Sequence, residues 1–265
     1  MSRDTPLSLP WMLVDIGNRR CKAVLIDPRR WDADQTLAPQ TVALESDHVF
    51  WHSLPTEPIH WWIGSVHRPT LRSLQARIER LRPRDRQTVL TAADFPMEID
   101  VAAPDGVGID RLAAALGASA SLQPGESAVV VDVGTAVTVD LVREEKEGPV
   151  FAGGAIFCGP YLAARALHEG TDALPLIEPP NVAPPPLGRD TQAAMASGLY
   201  WGLVGAVREL AERMGPGDGA KCRIVVTGGA GESLAEQLPG DVHYDGALVL
   251  RGLGMAVNAS ARRRQ

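Results

Sequence analysis

Residues 129–142, which read Val-Val-Val-Asp-Val-Gly-Thr-Ala-Val-Thr-Val-Asp-Leu-Val, decide the fold of this chain. Two runs rich in β-branched residues are separated by a single glycine, Gly134, which is typical of two strands joined by a tight turn. The turn brings together the Asp132 carboxylate, the Thr135 hydroxyl and backbone N–H groups, a combination that suits a phosphate group and its cation. The stretch therefore predicts a β-hairpin whose turn can bind phosphate.

The same pattern occurs near the start of the sequence, where residues 12–18 read Met-Leu-Val-Asp-Ile-Gly-Asn and a second apolar run covers residues 23–26. One Asp-x-Gly turn is weak support for a phosphate site, because aspartate and glycine are common turn formers. Two such turns, each between β-branched runs, predict two related domains. A chain of 265 residues also exceeds the usual size of a single core. We place the domains at residues 1–124 and 125–265.

The composition limits the possible partners and the compartment. With 45% apolar and 22% charged residues the chain is an ordinary soluble globular protein. Its formal charge of −6 argues against nucleic acid or an anionic membrane as a partner, and no apolar run approaches the ~20 residues of a membrane span. The cysteines, Cys21, Cys158 and Cys222, form no CxxC pair, which indicates a reducing compartment. We therefore expect a cytoplasmic protein.

Apolar periodicity predicts the other elements. Leu71, Leu74, Ile78 and Leu81 recur at helical spacing, so a helix is expected over residues 70–81. The same reasoning predicts strands at residues 41–44, 60–66, 89–90 and 222–226, and helices at residues 112–120, 161–168, 191–214, 232–237 and 247–260.

Three tryptophans, Trp51, Trp61 and Trp62, are concentrated in one region of the sequence. Core packing or a subunit contact is the favoured interpretation, and a stacking platform for a ligand is the alternative.

Several familiar sites are absent from the sequence. It contains no GxxxxGK[ST] loop, no GxSxG or HExxH motif, and its six histidines lack metal-ligand spacing. Any phosphate chemistry must therefore use the two Asp-x-Gly hairpins.

The duplicated hairpins resemble those of the sugar-kinase, heat-shock ATPase and actin superfamily. The resemblance implies an α/β fold of two ribonuclease-H-like domains with a central nucleotide cleft. More narrowly, the sequence from about Leu13 to Gly254 resembles the type III pantothenate kinases. The motifs that carry this resemblance are Asp15-Ile16-Gly17-Asn18 with Lys22, Gly108–Arg111, Asp132–Asp140, Gly153–Ile156, Thr171 with Leu174-Pro175, Gly188–Thr191 with Ser197-Gly198, and Thr227–Gly229.

The family resemblance implies a function and a set of site residues. It implies ATP-dependent phosphorylation of pantothenate to 4′-phosphopantothenate, the first step of coenzyme A biosynthesis, by a homodimer that uses Mg²⁺ and either K⁺ or NH₄⁺. The implied nucleotide-binding residues are Asp15, Ile16, Gly17, Asn18, Arg19, Arg20, Cys21, Lys22 and Thr135. The implied pantothenate-binding residues are Gly108, Ile109, Asp110, Arg111 and Thr191, and the implied metal ligand is Asp132.

Elementary chemistry gives the nucleotide and cation residues plausible roles. The Gly17-Asn18 turn offers N–H groups to phosphate oxygens, and Lys22 adds a positive point charge. Asp15 can hold Mg²⁺ directly or through water, and Asp132 can hold a monovalent cation or Mg²⁺.

The block at residues 108–111 carries the proposed catalysis. Phosphoryl transfer to an alcohol needs alignment, charge neutralisation and an acceptor for the hydroxyl proton, and the family places that acceptor at Asp110. Helix capping is the alternative role for Asp110. Arg111 can bind a carboxylate or a phosphate, and Thr191 can cap a helix, contact pantothenate, or do both.

The sequence departs from the family pattern at three positions. Arg19 stands where most members have Thr or Ser, Val101 stands where many have Tyr, and Cys158 stands where proline is usual. Two other functions therefore compete with the leading one: a non-catalytic regulatory relative, and a kinase for another small alcohol. The charged residues Lys22, Asp110 and Asp132 argue against the non-catalytic alternative. Unpaired charges are costly to bury, so a relative without catalysis should have lost these residues.

Overall fold

The structure is a computed structural model that describes residues 9–33, 35–43, 48–215 and 222–263. The strands, numbered in chain order, are β1 (Trp11–Ile16), β2 (Cys21–Ile26), β3 (Gln40–Val42), β4 (His60–Ser65), β5 (Arg86–Val89), β6 (Glu98–Ile99), β7 (Ser127–Val133), β8 (Ala136–Glu145), β9 (Gly148–Cys158), β10 (Cys222–Gly228) and β11 (Val242–Tyr244). The helices are α1 (His48–Ser53), α2 (Arg68–Leu81), α3 (Ile109–Ser119), α4 (Pro160–Glu169), α5 (Thr191–Met214), α6 (Gly231–Ala235) and α7 (Leu248–Arg263).

The chain divides into two compact units. Unit 1 comprises Met1–Ser121 together with Ala247–Gln265, and unit 2 comprises Leu122–Gly246. The change of unit near residue 121 lies close to the boundary that we placed at residue 124. The assignment of residues 247–265 to the second domain is corrected, because α7 belongs to unit 1.

The two units repeat one sheet topology. The strands of unit 1 are ordered β3-β2-β1-β4-β5, and those of unit 2 follow the order β9-β8-β7-β10-β11. In each unit the first strand pairs antiparallel with the second and parallel with the fourth. Both predicted hairpins, β1–β2 and β7–β8, are therefore confirmed, and so is the α/β class of the fold.

Most predicted elements are present with small shifts at their ends. Helix α2 begins at Arg68, ahead of the predicted Thr70, because His67 accepts the Thr70 N–H as the cap and Pro69 occupies the first turn. The third strand ends at Val42, and the last predicted residue of that strand, Leu44, lies outside the described residues. Short elements that were not predicted include α1 and β11.

The tryptophan cluster belongs to the core of unit 1. Trp61 and Trp62 are buried, and Trp51 stacks on Trp61 with ring centroids 5.6 Å apart. The buried carboxylate of Asp85 accepts the Trp61 indole N–H at 2.8 Å and pairs with Arg82. Core packing, one of the two favoured interpretations, is confirmed for these tryptophans.

Glycines explain why α7 packs in unit 1. A Cβ added to Gly252 of α7 would lie 1.8 Å from the carbonyl oxygen of Ala113 in α3, and one added to Gly117 would lie 2.6 Å from the Leu248 carbonyl oxygen. The two helix backbones touch at these points, which only residues without a side chain allow. Helix α7 thereby holds α3, whose first turn carries Asp110.

The core of unit 2 joins its hairpin to α5. Buried valines of β7 and β8 pack against Leu203, Val204 and Val207 of the helix. Asp190 caps α5 by accepting the Ala193 N–H at 2.8 Å. Among the described residues, no helix is long and apolar enough to cross a bilayer.

Candidate active site

The first hairpin presents Asp15 and Lys22 on the same face of the unit 1 sheet. They are direct cross-strand partners in β1 and β2, and both are half-buried. The hairpin loop is closed by a hydrogen bond from the Gly17 N–H to the Arg20 carbonyl at 3.1 Å. Asn18, Arg19 and Arg20 are exposed in that loop. The hairpin therefore offers a carboxylate, an ammonium group and accessible loop residues within eight residues of the chain.

Two residues in the predicted nucleotide segment have side chains that face the core. Ile16 and Cys21 are 0% and 5% exposed, so only their backbone atoms are available to a ligand. Burial, followed by the charge of Asp15, raises the pKa of the Cys21 thiol to about 12. This thiol therefore stays protonated at physiological pH and is neither a nucleophile nor a metal ligand.

Asp110 lies in the first turn of α3 but does not occupy the cap position. The cap is Gly108, and Asp110 is the second residue of the helix. Its Oδ1 accepts the Arg111 backbone N–H at 2.8 Å. Burial raises the pKa of Asp110, and the N–H and charge of Arg111 oppose that rise without cancelling it. A carboxylate with a raised pKa is a stronger base than an exposed aspartate.

Gly64 of β4 brings the two parts of the site in unit 1 together. Gly64 is the parallel-strand partner of Asp15, and a Cβ added to it would lie 3.3 Å from Cγ2 of Ile109 and 2.9 Å from Leu253. The start of α3 thus contacts β4 beside Asp15. One residue beyond the end of β4, the Val66 N–H donates to the Ile16 carbonyl at 3.1 Å, which continues the contact with β1.

The second hairpin presents Asp132 at the end of β7. Asp132 is half-buried and lies between Thr138 of β8 and Thr227 of β10 in the strand registers. The Gly134 N–H closes the turn to the Ala136 carbonyl at 3.0 Å, and the Gly159 N–H donates to the Thr135 carbonyl at 3.0 Å. Thr135 is therefore held in an ordered turn three residues after Asp132.

Gly228 packs directly against Asp132. Its φ of +92° lies in the left-handed region, and a Cβ there would lie 2.6 Å from Oδ1 of Asp132. Both observations require glycine at this position. The Gly228 carbonyl accepts a hydrogen bond from the Tyr244 hydroxyl at 3.2 Å. Burial raises the pKa of Tyr244, with further contributions from the charges of Glu232, Asp245 and Asp132, so this hydroxyl remains a donor.

Two further residues of the family motifs, Thr191 and Asp140, lie outside the hairpin turns. Thr191 is the first residue of α5 and is exposed. It is not the helix cap, because Asp190 occupies that position. Asp140 is buried against Gly154, where an added Cβ would lie 2.3 Å from Oδ1 of Asp140. Sequence reasoning missed Gly64 and Tyr244. The Tyr-Asp-Gly turn at residues 244–246 was the available signal for Tyr244, and the small residues at the end of the predicted strand 60–66, which suit a ligand loop, were the signal for Gly64.

The candidate cation ligands of the site are the single carboxylates of Asp15 and Asp132. Within the described part of the chain, no three His, Cys, Asp or Glu residues are grouped as metal ligands. Mg²⁺ commonly keeps several waters and uses one or two carboxylates plus substrate phosphates, so the single carboxylate of Asp15 is sufficient protein ligation for it. Asp132, half-buried between Thr138 and Thr227 in the strand registers, offers one carboxylate of the kind that a monovalent cation accepts.

Comparison with known proteins assigns this chain a family and a fold. A family model described as type III pantothenate kinase matches residues 11–213. A type III pantothenate kinase from Thermus thermophilus is 37% identical over 251 residues, which cover 91% of this chain and 96% of that protein. One from Alkalilimnicola ehrlichii is 34% identical over 262 residues, which cover 94% and 98%.

A solved structure supports the fold. The activator of 2-hydroxyisocaproyl-CoA dehydratase from Clostridium difficile, solved with bound ADPNP, aligns with a TM-score of 0.50 at 14% identity and covers 97% of both chains. This likeness shows the fold alone, and it agrees with the α/β fold of two similar units that the duplicated hairpins predicted.

Proposed function

The chain belongs to the type III pantothenate kinase family, and from that premise we propose that it phosphorylates pantothenate with ATP. The product is 4′-phosphopantothenate, and the reaction is the first step of coenzyme A biosynthesis. The observation that carries this proposal is the contact at Gly64, which places the Asp15–Lys22 hairpin beside the helix turn that bears Asp110. A phosphate-binding hairpin next to a half-buried base is what phosphoryl transfer to an alcohol requires.

Asp110 is the proposed proton acceptor for the attacking hydroxyl of pantothenate. Its burial supports this role, because a carboxylate with a raised pKa takes up a proton more readily. The carboxylate is oriented by the Arg111 N–H at Oδ1, which leaves Oδ2 for the substrate. The Arg111 guanidinium is proposed to bind the pantothenate carboxylate, and Gly108, Ile109 and Thr191 complete the contacts to pantothenate.

The first hairpin is proposed to bind the phosphates of ATP. The donors are the Lys22 ammonium and backbone N–H groups of residues 16–21 other than that of Gly17, which bonds to the Arg20 carbonyl. The exposed loop position of Arg19 supports a phosphate contact in place of the hydroxyl that is usual there, because a guanidinium forms charge-assisted hydrogen bonds with phosphate oxygens. Thr135 in the second hairpin is proposed to contact phosphate through its hydroxyl.

Two cations are part of the proposal. Asp15 would hold the Mg²⁺ that accompanies ATP, and Asp132 would hold K⁺ or NH₄⁺. Bound cations neutralise the negative charge of the phosphates during transfer. The half-buried carboxylates of Asp15 and Asp132 at their strand ends support these roles.

The proposed assembly is a homodimer in the cytoplasm. Unit 2 carries several large apolar side chains that are 37–74% exposed, on β9, on α4 and in the connection that follows α4: Ile156, Leu162, Leu167, Leu176, Val182 and Leu187. Exposed apolar surface of this kind favours a protein partner over solvent. The three free thiols and the proposed use of ATP favour the cytoplasm.

A coupled assay of ADP release tests the proposed reaction. The purified chain is supplied with ATP, Mg²⁺ and pantothenate, with and without KCl or NH₄Cl. We expect ADP release that requires pantothenate and is stimulated by the monovalent salts. A folded protein that released no ADP with pantothenate would contradict the proposal and favour a regulatory relative. ADP release with another small alcohol alone would show a different acceptor.

A further inference from the structure

The phenol of Tyr244 occupies a space lined by glycines at the end of the unit 2 sheet. Tyr244 is the last residue of β11 and is paired in register with Val226 of β10. A Cβ added to Gly231 would lie 3.1 Å from Cε2 of its ring, and one added to Gly246 would lie 3.1 Å from its hydroxyl oxygen. The ring and the hydroxyl of Tyr244 therefore occupy space that larger residues at positions 231 and 246 would fill.

The hydroxyl of Tyr244 reaches the residue that packs on Asp132. It donates to the Gly228 carbonyl at 3.2 Å, and Gly228 has the left-handed φ of +92°. The Cα of Gly228 lies against Asp132 and Val133, since an added Cβ would be 2.6 Å from Oδ1 of the first and 2.5 Å from the carbonyl oxygen of the second. A shift of Gly228 therefore alters the space in which the Asp132 carboxylate lies.

We infer that Tyr244 is a positioning residue for the cation site: its hydroxyl fixes the Gly228 turn, and that turn fixes the Asp132 carboxylate. This inference deepens the proposed function, because it rests on Asp132 as the ligand of the monovalent cation. Tyr244 itself contacts neither ATP nor pantothenate in this account. Loss of its hydroxyl should therefore change the cation concentration that nucleotide binding requires, and not the rate of the chemical step.

Isothermal titration tests the inference without any turnover. The wild-type chain and Tyr244→Phe are titrated with a non-hydrolysable ATP analogue and Mg²⁺ across a series of KCl concentrations, with choline chloride holding the ionic strength constant. We expect half-maximal tightening of nucleotide binding to need about 2- to 10-fold more KCl in the variant. That range corresponds to the loss of one neutral hydrogen bond, about 0.5–1.5 kcal/mol net.

Tyr200→Phe is the matched control. Tyr200 is another tyrosine of unit 2 whose hydroxyl donates to a backbone carbonyl, that of Ser233, at 2.9 Å, and the bond does not involve Gly228. Both variants lose one hydroxyl, and because the Tyr200 hydroxyl also bonds the Ser233 Oγ at 2.7 Å, Tyr200→Phe should lose at least as much stability in thermal unfolding as Tyr244→Phe. Only Tyr244→Phe should shift the KCl dependence, which a merely structural role would leave unchanged.

The outcomes separate this inference from the proposed function. A normal KCl dependence in folded Tyr244→Phe would overturn the inference and leave the proposed reaction intact. Wild-type binding that ignored KCl would overturn both the cation role of Asp132 and the inference. Absence of pantothenate phosphorylation, with the KCl shift present, would contradict the reaction and leave the inference standing.

Discussion

Gly108 and Asp110 fit against each other so closely that a methyl group on Gly108 would lie 2.5 Å from Oδ1 of Asp110. Gly108 has φ −60° and ψ 137°, a conformation open to any residue, so the position of the carboxylate and not the backbone requires glycine here. The same Oδ1 accepts the Arg111 N–H. The position of the proposed base is therefore fixed on two sides by its own chain.

Gly108→Ala should displace the base while preserving the fold. The new methyl group forces the Asp110 carboxylate to turn away, and a misplacement of about 1 Å can lower turnover by up to ~10²-fold. Steady-state kinetics should show the loss in kcat. The control is Gly106→Ala, whose added Cβ would come no closer than 3.9 Å to another side chain. Equal kcat values for the two variants would contradict the proposed fit between Gly108 and Asp110.

Gly252→Ala should loosen the contact between α7 and α3. Its Cβ would collide with the Ala113 carbonyl, and overpacking of this kind typically destabilises by about 1–3 kcal/mol. Chemical denaturation measures the change. Gly202→Ala in α5 is the matched control, because nothing lies within 4 Å of its Cβ and alanine is favoured over glycine in helices by up to about 1 kcal/mol. Similar stability in the two variants would show that the helices do not touch at Gly252.

Asp132→Asn should weaken the response to monovalent cations. The substitution keeps the shape of the side chain and removes its charge, and an interaction with an ionised group is worth about 1.5–3 kcal/mol, or roughly 10- to 100-fold in affinity. The half-saturating KCl concentration in the ADP-release assay should rise by that factor. Glu145→Gln, an exposed acid at the other end of β8, is the control. An unchanged KCl requirement would remove Asp132 from the cation site.

The half-buried carboxyl of Asp110 should also affect how stability depends on pH. Burial raises the pKa of Asp110, so the folded state disfavours the ionised form. The ionised group therefore lowers the free energy of unfolding at pH values above its folded pKa. This loss is absent at pH values below the pKa of an unfolded aspartate, where the group is protonated in both states. Asp110→Asn should therefore be more stable than the wild type at pH 7. The difference should shrink on acidification and vanish below pH ~3, where the wild-type group is protonated in both the folded and the unfolded state. Denaturation at several pH values measures this, and an advantage for the wild type at pH 7 would contradict it.

The hairpins were predictable because their information is local. β-Branched runs broken by Asp-x-Gly specify strand, turn and strand within about fifteen residues, and both copies formed as expected. Asp15, Lys22, Asp132 and Thr135 could be placed at turns on the same grounds.

Contacts between distant segments were not predictable from local patterns. Strand β11 has only three residues in a polar stretch, and it becomes a strand by pairing with β10, so the hydrogen bond of Tyr244 to Gly228 was not foreseen. The placement of α7 in unit 1 depends on the glycine contacts with α3, across more than a hundred residues of sequence. The glycines at 252 and 254 inside a predicted helix were a usable hint, because glycine is unfavourable there unless close packing requires it.

The turnover of Asp110→Asn tests the central claim most directly. Asparagine preserves the size of the side chain and can still accept the Arg111 N–H, but it is not a base. A positioned general base contributes about 10²- to 10⁴-fold, so kcat for ADP release with pantothenate should fall by that factor, while the KM for ATP and the circular dichroism spectrum stay unchanged. Asp105→Asn, an exposed acid in the preceding turn, should retain full activity. Near-normal kcat in folded Asp110→Asn would contradict the assignment of Asp110 as the proton acceptor.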